Sequence, residues 1–173
     1  MEHSRLRDAC REGKLEEVKY LIAENENCIN ERDLYGATFL HHTCRFNRPG
    51  NIDIVRFLTN IDRSLVNKKT NGGFTPLHYV CCYGNIEIAK ILIENGGSKH
   101  INDKNRNGDT PLHLSSGNRK KLDIVKLLIK NGADTTITNN RSQTPLDCLF
   151  DEHKLEIKKI IDDECLNTKQ PDI

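Results

Sequence analysis

The sequence contains no tryptophan, and its hydrophobic share is small. Only 36% of the 173 residues are hydrophobic and 5% are aromatic. That is little for one large core, but it is sufficient when small units each bury one face against their neighbours. No stretch approaches the roughly 18 unbroken apolar residues of a membrane-spanning helix, and residues 1–6 lack the apolar core of a signal peptide. We therefore expect a cytoplasmic or nuclear protein that does not associate with membranes.

An excess of charge of one sign is also absent. The chain has 26 Lys and Arg residues against 25 Asp and Glu residues, a formal net charge of +1. This balance does not predict binding to nucleic acid or to an anionic membrane. The basic run Arg119-Lys120-Lys121 has no aromatic stacking platform beside it, and such runs are more often solvated turns.

One short stretch occurs four times along the chain. It reads Gly73-Phe74-Thr75-Pro76-Leu77-His78, and its other copies cover residues 108–113, 36–41 and 142–147, with spacings of 37, 35 and 34 residues between their threonines. The threonine is placed to cap a helix, and proline suits the first helical position because no N–H is needed there. A period of this size predicts a stacked repeat protein rather than one globular core.

These residues resemble the ankyrin-repeat family. The fullest copy combines Gly108-Asp109-Thr110-Pro111-Leu112-His113 with a second apolar helix and the closing Asn131-Gly132-Ala133. The resemblance covers roughly residues 5–163. It implies an all-α fold, an ankyrin-repeat solenoid of about five helix-turn-helix units with short β-hairpin arms.

The repeat pattern divides the chain into five units and a tail. Phe39 replaces the usual proline in the second unit, and residues 47–51 lengthen the loop between its helices. In the last unit Thr144-Pro145-Leu146 still predicts a helix start, and a polar outer face there favours a monomer. The units are an N-terminal capping repeat at 1–30, ankyrin repeats at 31–67, 68–102 and 103–137, a C-terminal capping repeat at 138–163 and a tail at 164–173.

Histidine and cysteine recur at fixed positions of the repeat, and packing explains them better than zinc binding or catalysis. The three cysteines at the shared position stand where the family usually has alanine, so we expect small buried side chains there. The seven cysteines are an odd number without paired metal-ligand spacing, which indicates a reducing compartment. Because phosphate loops and nucleophile motifs are also absent, we predict no metal, cofactor, small-molecule substrate or enzyme activity. The recurring residues are His41, His78 and His113 at one position and Cys10, Cys44 and Cys81 at another.

The resemblance also implies where a partner would bind, because this family commonly holds partners on its hairpin tips and on the concave face of its first helices. Four of the nine aromatic residues fall at matching positions, and interface hot spots are rich in aromatic residues and arginine. Two interpretations remain open: these aromatics are contact residues, or they fold back over neighbouring hairpins. The matching positions are Leu34, Tyr35, Arg45, Phe46, Asn71, Phe74, Cys82, Tyr83, Arg106, Asn107, Asp109, Asn140 and Arg141.

The predicted function is a non-enzymatic interaction module that masks, sequesters or recruits another protein through its concave surface. Two narrower alternatives remain. The chain is similar in size to truncated inhibitors of NF-κB-type transcription factors and lacks an Asp-Ser-Gly phosphodegron, so it could be a constitutive inhibitor encoded by a virus or pathogen. It could instead be an adaptor that recruits a host complex. The sequence does not identify the partner, or decide whether Asn30, Asn67 or Asn102 is modified.

Overall fold

The computed structural model describes the backbone of residues 2–167 and the side chains of residues 4–163. Within this part of the chain, no helix is both long enough and apolar enough to cross a membrane. The α-helices of the described residues are α1 Glu2–Glu12, α2 Leu15–Glu24, α3 Phe39–Arg45, α4 Asn51–Ile61, α5 Pro76–Tyr83, α6 Ile86–Glu94, α7 Pro111–Ser116, α8 Leu122–Lys130 and α9 Asp151–Asn167. Short 3-10 helices cover Glu26–Asn30, Arg63–Asn67, Gly97–His100 and Arg119–Lys121.

The helices stack in two rows. The first helices of successive units, α1, α3, α5 and α7, pack side by side in an inner row, and α2, α4, α6 and α8 form an outer row. One continuous apolar core lies between the rows and extends from Leu6 to Ile157. Each unit thus buries one face against its neighbours, and the predicted all-α solenoid is confirmed.

The inner helices begin where the recurring motif predicts. In α5 the Thr75 hydroxyl accepts a hydrogen bond from the His78 N–H at 3.4 Å, and the Thr75 N–H donates to His78 Nδ1 at 3.1 Å. This reciprocal pair satisfies backbone groups that a helix start leaves unpaired. The same bond from backbone to imidazole, also at 3.1 Å, joins Thr38 to His41, so α3 starts correctly although Phe39 replaces proline.

The expected β-hairpin arms are present only as tight turns, and residues 2–167 contain no β-strand. In the second unit the turn is closed by hydrogen bonds from the Gly36 N–H to the Asp33 carbonyl and from the Asp33 N–H to the Ala37 carbonyl. Successive turn tips are joined by one backbone bond each, such as the 2.8 Å bond from the Asn71 N–H to the Tyr35 carbonyl. One bond per pair of tips is too few to form a strand ladder.

The last residue of each turn has a positive φ, a conformation that L-residues rarely adopt. These residues are Gly36, Gly73, Gly108 and Ser142. Gly108 has φ of +76°, and a Cβ added to it would lie 2.7 Å from the backbone nitrogen of Asn140 in the next tip. Glycine therefore serves both the left-handed conformation and the close approach of the next unit. The last tip has Ser142 at this position with φ of +57°, so the left-handed strain is present there without glycine to relieve it.

The C-terminal unit departs from the prediction. Residues 145–148 form turns rather than the predicted helix, with hydrogen bonds such as that from the Leu149 N–H to the Leu146 carbonyl. Short helices depend on packing for stability, and this segment follows α7, the last helix of the inner row. Helix α9 begins only at Asp151 and continues past residue 163 to Asn167, whereas residues 168–173 of the predicted tail lie outside the described residues.

Candidate partner-binding groove

A groove runs between the turn tips and the inner helices of the second and third units. Its larger part has a volume of about 550 Å³, and an adjoining smaller part of about 280 Å³ shares Arg45, Phe74 and Tyr79 with it. We call both parts together the concave groove. Its lining residues are Asp33, Tyr35, Ala37, His42, Arg45, Thr70, Asn71, Gly72, Phe74, Tyr79, Cys82, Tyr83 and Arg106.

Aromatic rings form a row along the floor of the groove. The Phe74 and Tyr79 ring centroids lie 5.9 Å apart at an interplanar angle of 72°, and those of Tyr79 and Tyr83 lie 6.2 Å apart. Phe74 is half-buried, whereas Tyr35 is 76% exposed and Tyr83 is 50% exposed. Phe74 therefore folds back into the packing, whereas the rings of Tyr35 and Tyr83 are accessible to solvent.

Guanidinium groups cover the rings at one end of the groove. The Arg45 guanidinium carbon lies 5.8 Å from the Phe46 ring centroid and 5.7 Å from that of Tyr83, and the Arg11 carbon lies 5.1 Å from the Phe46 centroid. Cations at these distances are attracted to the ring face. Phe46 is consequently half-buried beneath two arginines, and it lies beside the groove rather than in its lining.

A hydrogen-bonded His42–Asp33 pair supports the tip of the second unit. His42 Nε2 lies 3.0 Å from Asp33 Oδ2, and Asp33 Oδ1 accepts from the Tyr35 and Ala37 N–H groups at 2.8 and 2.9 Å. Burial raises the pKa of Asp33, but the two backbone donors and His42 outweigh it and the pKa is lowered. Burial also lowers the pKa of His42, against the opposing effect of Asp33. Asp33 is thus ionised, and it positions the exposed ring of Tyr35.

Seven of the thirteen sequence-predicted contact residues line the groove, and six lie outside its lining. Leu34, Asn107, Asn140 and Arg141 are exposed on the turn tips outside the lining. Asp109 was predicted to be exposed, yet it is only 7% exposed, because its Oδ1 accepts from Asn139 Nδ2 at 2.8 Å. Asp109 therefore holds adjacent tips together and is not part of the binding surface. The predicted residues that the structure brings together in the groove are Tyr35, Arg45, Asn71, Phe74, Cys82, Tyr83 and Arg106.

The predicted contact residues lacked several residues of the groove lining, among them Asp33, His42 and Tyr79. His42 and Tyr79 occupy the same repeat position, directly after the recurring histidine. Since that histidine turns inward at the start of an inner helix, the next position could have been assigned to the concave side from helical geometry alone. Asp33 has a weaker signal, namely a side chain that suits the first position of a turn.

The recurring histidines connect adjacent units. Nδ1 of His78 accepts from the Thr75 N–H, so Nε2 carries the proton and donates to the Asp109 carbonyl at 3.2 Å. His41 bonds the Phe74 carbonyl in the same way at 3.0 Å. Burial lowers the pKa of each of these two imidazoles to about 4. Both rings are therefore neutral, with both nitrogens engaged.

The cysteines at the shared repeat position are packing residues. Cys10, Cys44 and Cys81 are each at most 2% exposed, and burial raises the pKa of all three thiols, so none of them is a reactive thiolate. Cys82 differs, because it is exposed in the groove. Across the residues that the structure describes, no group of three or more His, Cys, Asp or Glu side chains is arranged to hold a metal ion.

Paired helices stacked in two rows, with tips and inner helices enclosing a groove, define a helical repeat protein that presents one extended surface. The chain belongs to the ankyrin-repeat family, because the family model for ankyrin repeats (3 copies) matches residues 50–139, just over half of the chain. Ankyrin repeats are generally protein–protein interaction modules.

Similar individual proteins match shorter segments of the chain than the family model does. An ankyrin repeat protein of Rickettsia bellii is 39% identical over 74 residues, which cover 40% of this chain and 43% of that protein. One of Rickettsia felis is 31% identical over 78 residues, covering 43% of this chain and 34% of the relative. The ankyrin repeat protein FPV219 of fowlpox virus is 42% identical over 62 residues, which cover 36% of this chain and 14% of that protein. The matches thus span less than half the length of these relatives.

Proposed function

We propose that this protein is a non-enzymatic binding module that holds another protein in the concave groove. The observation that carries the proposal is the pair of exposed tyrosines, Tyr35 and Tyr83, in a groove lining that also contains the Phe74 and Tyr79 rings. Tyrosine contributes a large contact area at a low cost in conformational entropy, and it is enriched among the residues that dominate interface energies.

The shape of the groove favours a macromolecule over a small ligand. Sites for small molecules bury most of the ligand surface, whereas here Tyr35 and Tyr83 stand largely in solvent and the groove is open along the tips. A protein segment can cover such an open surface, because the partner itself shields the bound side chains from water on the other side.

Rigid presentation would assist binding. The Asn71 side chain donates to the Leu34 carbonyl at 3.1 Å and the Asn71 N–H donates to the Tyr35 carbonyl at 2.8 Å, so the tips of the second and third units are linked at two points. A surface that is already ordered loses little entropy when a partner binds. The mechanism would be occupancy: the bound partner is masked, sequestered or brought to a third protein.

These modes of action give different observable results. An inhibitor, of which a constitutive inhibitor of NF-κB-type transcription factors is one version, abolishes the activity of the bound partner. An adaptor leaves that activity intact and forms a ternary complex. For the NF-κB version, failure to retain any Rel-type factor would refute it. We also propose a monomer, which light scattering during size-exclusion chromatography tests directly.

Partner capture tests the site. The full chain, a Tyr35→Ala/Tyr83→Ala variant and a Tyr20→Ala control are immobilised and compared by quantitative mass spectrometry of captured lysate proteins, after circular dichroism has verified equal helicity. Tyr20 is a matched control because it is 56% exposed but lies on the outer helix α2. We expect the double variant to lose a specific partner that the control retains. An unchanged partner list would place binding on the outer helices or on the loop at Pro49.

A further inference from the structure

We infer that the partner segment in the concave groove is acidic and carries an apolar or aromatic residue beside its carboxylates. This inference rests on the proposed function and specifies the chemistry of the occupant. The inference follows from the pairing of the charged groups in the groove. The acidic groups are paired within the chain, and the arginines are left for a partner.

The arginines of the groove lack carboxylate partners. Arg45 and Arg106 both contribute to its lining, and neither forms an ion pair with any side chain between residues 4 and 163, whereas Arg11 pairs with Asp8 at 3.6 Å. The side-chain contacts of Arg45 are with the rings of Phe46 and Tyr83. Each guanidinium therefore retains donors that could bind a carboxylate in the bidentate geometry that arginine favours.

The acidic groups on the same side are already engaged. Both oxygens of Asp33 accept hydrogen bonds, from two backbone N–H groups and from His42. On α1, Asp8 pairs with Arg7 and Arg11, and Glu12 pairs with Lys14 at 2.7 Å. The unused hydrogen-bonding capacity of the groove is thus mainly that of cationic donors, which is complementary to a partner that supplies anionic acceptors.

The same contacts disfavour binding of a nucleic acid in the groove. Single-stranded nucleic acids bind through stacking on open aromatic faces and through several phosphate contacts. Here the Arg45 guanidinium lies over the Phe46 and Tyr83 rings, so Tyr35, 76% exposed, is left as one open ring of the lining. The lining supplies two cations, Arg45 and Arg106, rather than a series of phosphate contacts. Two cations suit two carboxylates of a peptide, and the Phe74 and Tyr79 rings in the same lining suit one apolar side chain.

Peptide selection tests the inference. A phage-displayed library of random peptides is selected against the full chain, against an Arg45→Glu/Arg106→Glu variant and against an Arg56→Glu/Arg63→Glu control. The control makes the same change in charge at exposed positions on α4 and the following 3-10 helix. Enriched peptides are sequenced, and the dissociation constants of the best ones are measured by fluorescence polarisation at low and high salt.

We expect the native chain and the control to enrich peptides that combine Asp or Glu with an apolar residue. The groove variant should bind them at least about tenfold more weakly, with the difference reduced at high salt because charges are then screened. Enrichment of neutral or basic peptides that are lost on Tyr35→Ala/Tyr83→Ala would overturn the inference while leaving the proposed function intact.

Three other results would count against the inference. Peptides that bind all groove variants equally would refute both the acidic occupant and the groove itself. Failure to enrich any peptide would refute a linear acidic segment, and partner capture would then decide the proposed function separately. Binding of a fluorescein-labelled single-stranded RNA that Arg45→Glu/Arg106→Glu abolishes would assign the groove to nucleic acid instead.

Discussion

Acid should destabilise this protein well above the pH at which carboxylates titrate, because His41 and His78 are buried as neutral rings. In each ring Nδ1 accepts a backbone hydrogen bond, so protonation there removes an acceptor and places a charge in the core. Each pKa falls from an ordinary 6.5 to about 4 on folding. The unfolded chain therefore binds more protons between these values, and stability falls as the pH falls through this window.

The size of the effect follows from the two pKa values. For an ordinary pKa of 6.5 and a folded pKa of about 4, linkage gives a loss of about 2 kcal/mol per histidine between pH 7 and pH 5, or about 4 kcal/mol for the pair. Domains of this kind have about 5 to 15 kcal/mol in total, so the loss is a large share. His42, whose pKa is also lowered, changes stability in the same direction.

Urea unfolding followed by circular dichroism at pH 7, 6 and 5 and constant ionic strength measures the loss, and NMR titration of the imidazoles measures the pKa values. His78→Gln should remove about half of the pH dependence, whereas His100→Gln, in a partly exposed 3-10 helix, should retain it. Equal free energies of unfolding at pH 7 and pH 5 would refute the reasoning, as would imidazole pKa values near 6.5 for His41 and His78.

Three further predictions use the same urea assay at pH 7. Lys121→Ala should cost about 1–3 kcal/mol, because the Lys121 ammonium donates to the buried Cys81 carbonyl and to the part-buried Cys82 carbonyl at the end of α5; an unchanged free energy of unfolding would contradict this role. Gly108→Ala should cost more than about 1 kcal/mol, whereas Ser142→Gly should be neutral or stabilising, because only the first adds left-handed strain. Thr110→Val should cost about 1 kcal/mol through loss of the α7 cap, and an unchanged midpoint would contradict that role.

Features that depend on neighbouring residues in the chain were predicted well. The starts of α5 and α7 follow from Thr75-Pro76 and Thr110-Pro111, because a cap acts within one turn of the helix. The repeat period also predicted that Cys81 and its equivalents are buried. The motif alone did not predict how α3 begins, because Phe39 replaces its proline. In the structure the His41 ring accepts from the Thr38 N–H and caps the start of α3.

The helix start predicted at Thr144 was wrong for a physical reason. Thr144-Pro145 carries the same local start signal as the other units, but Asp147 replaces the histidine and its carboxylate accepts from the Thr144 N–H and hydroxyl, both at 2.7 Å. A local cap remains, while the imidazole bond to a following unit is absent. The segment forms turns although its cap is made, so the local start signal alone does not specify a helix here.

The sequence alone determined the family and the starts of α3, α5 and α7, because repeat period and helix capping are local properties. Tertiary structure decided which exposed positions share one surface. It buried Asp109 between adjacent tips, added Tyr79 and His42 to the groove, and left Arg45 and Arg106 without carboxylate partners in the described part of the chain. Burial and pairing depend on contacts between units some 35 residues apart, and only the stacked structure specifies them.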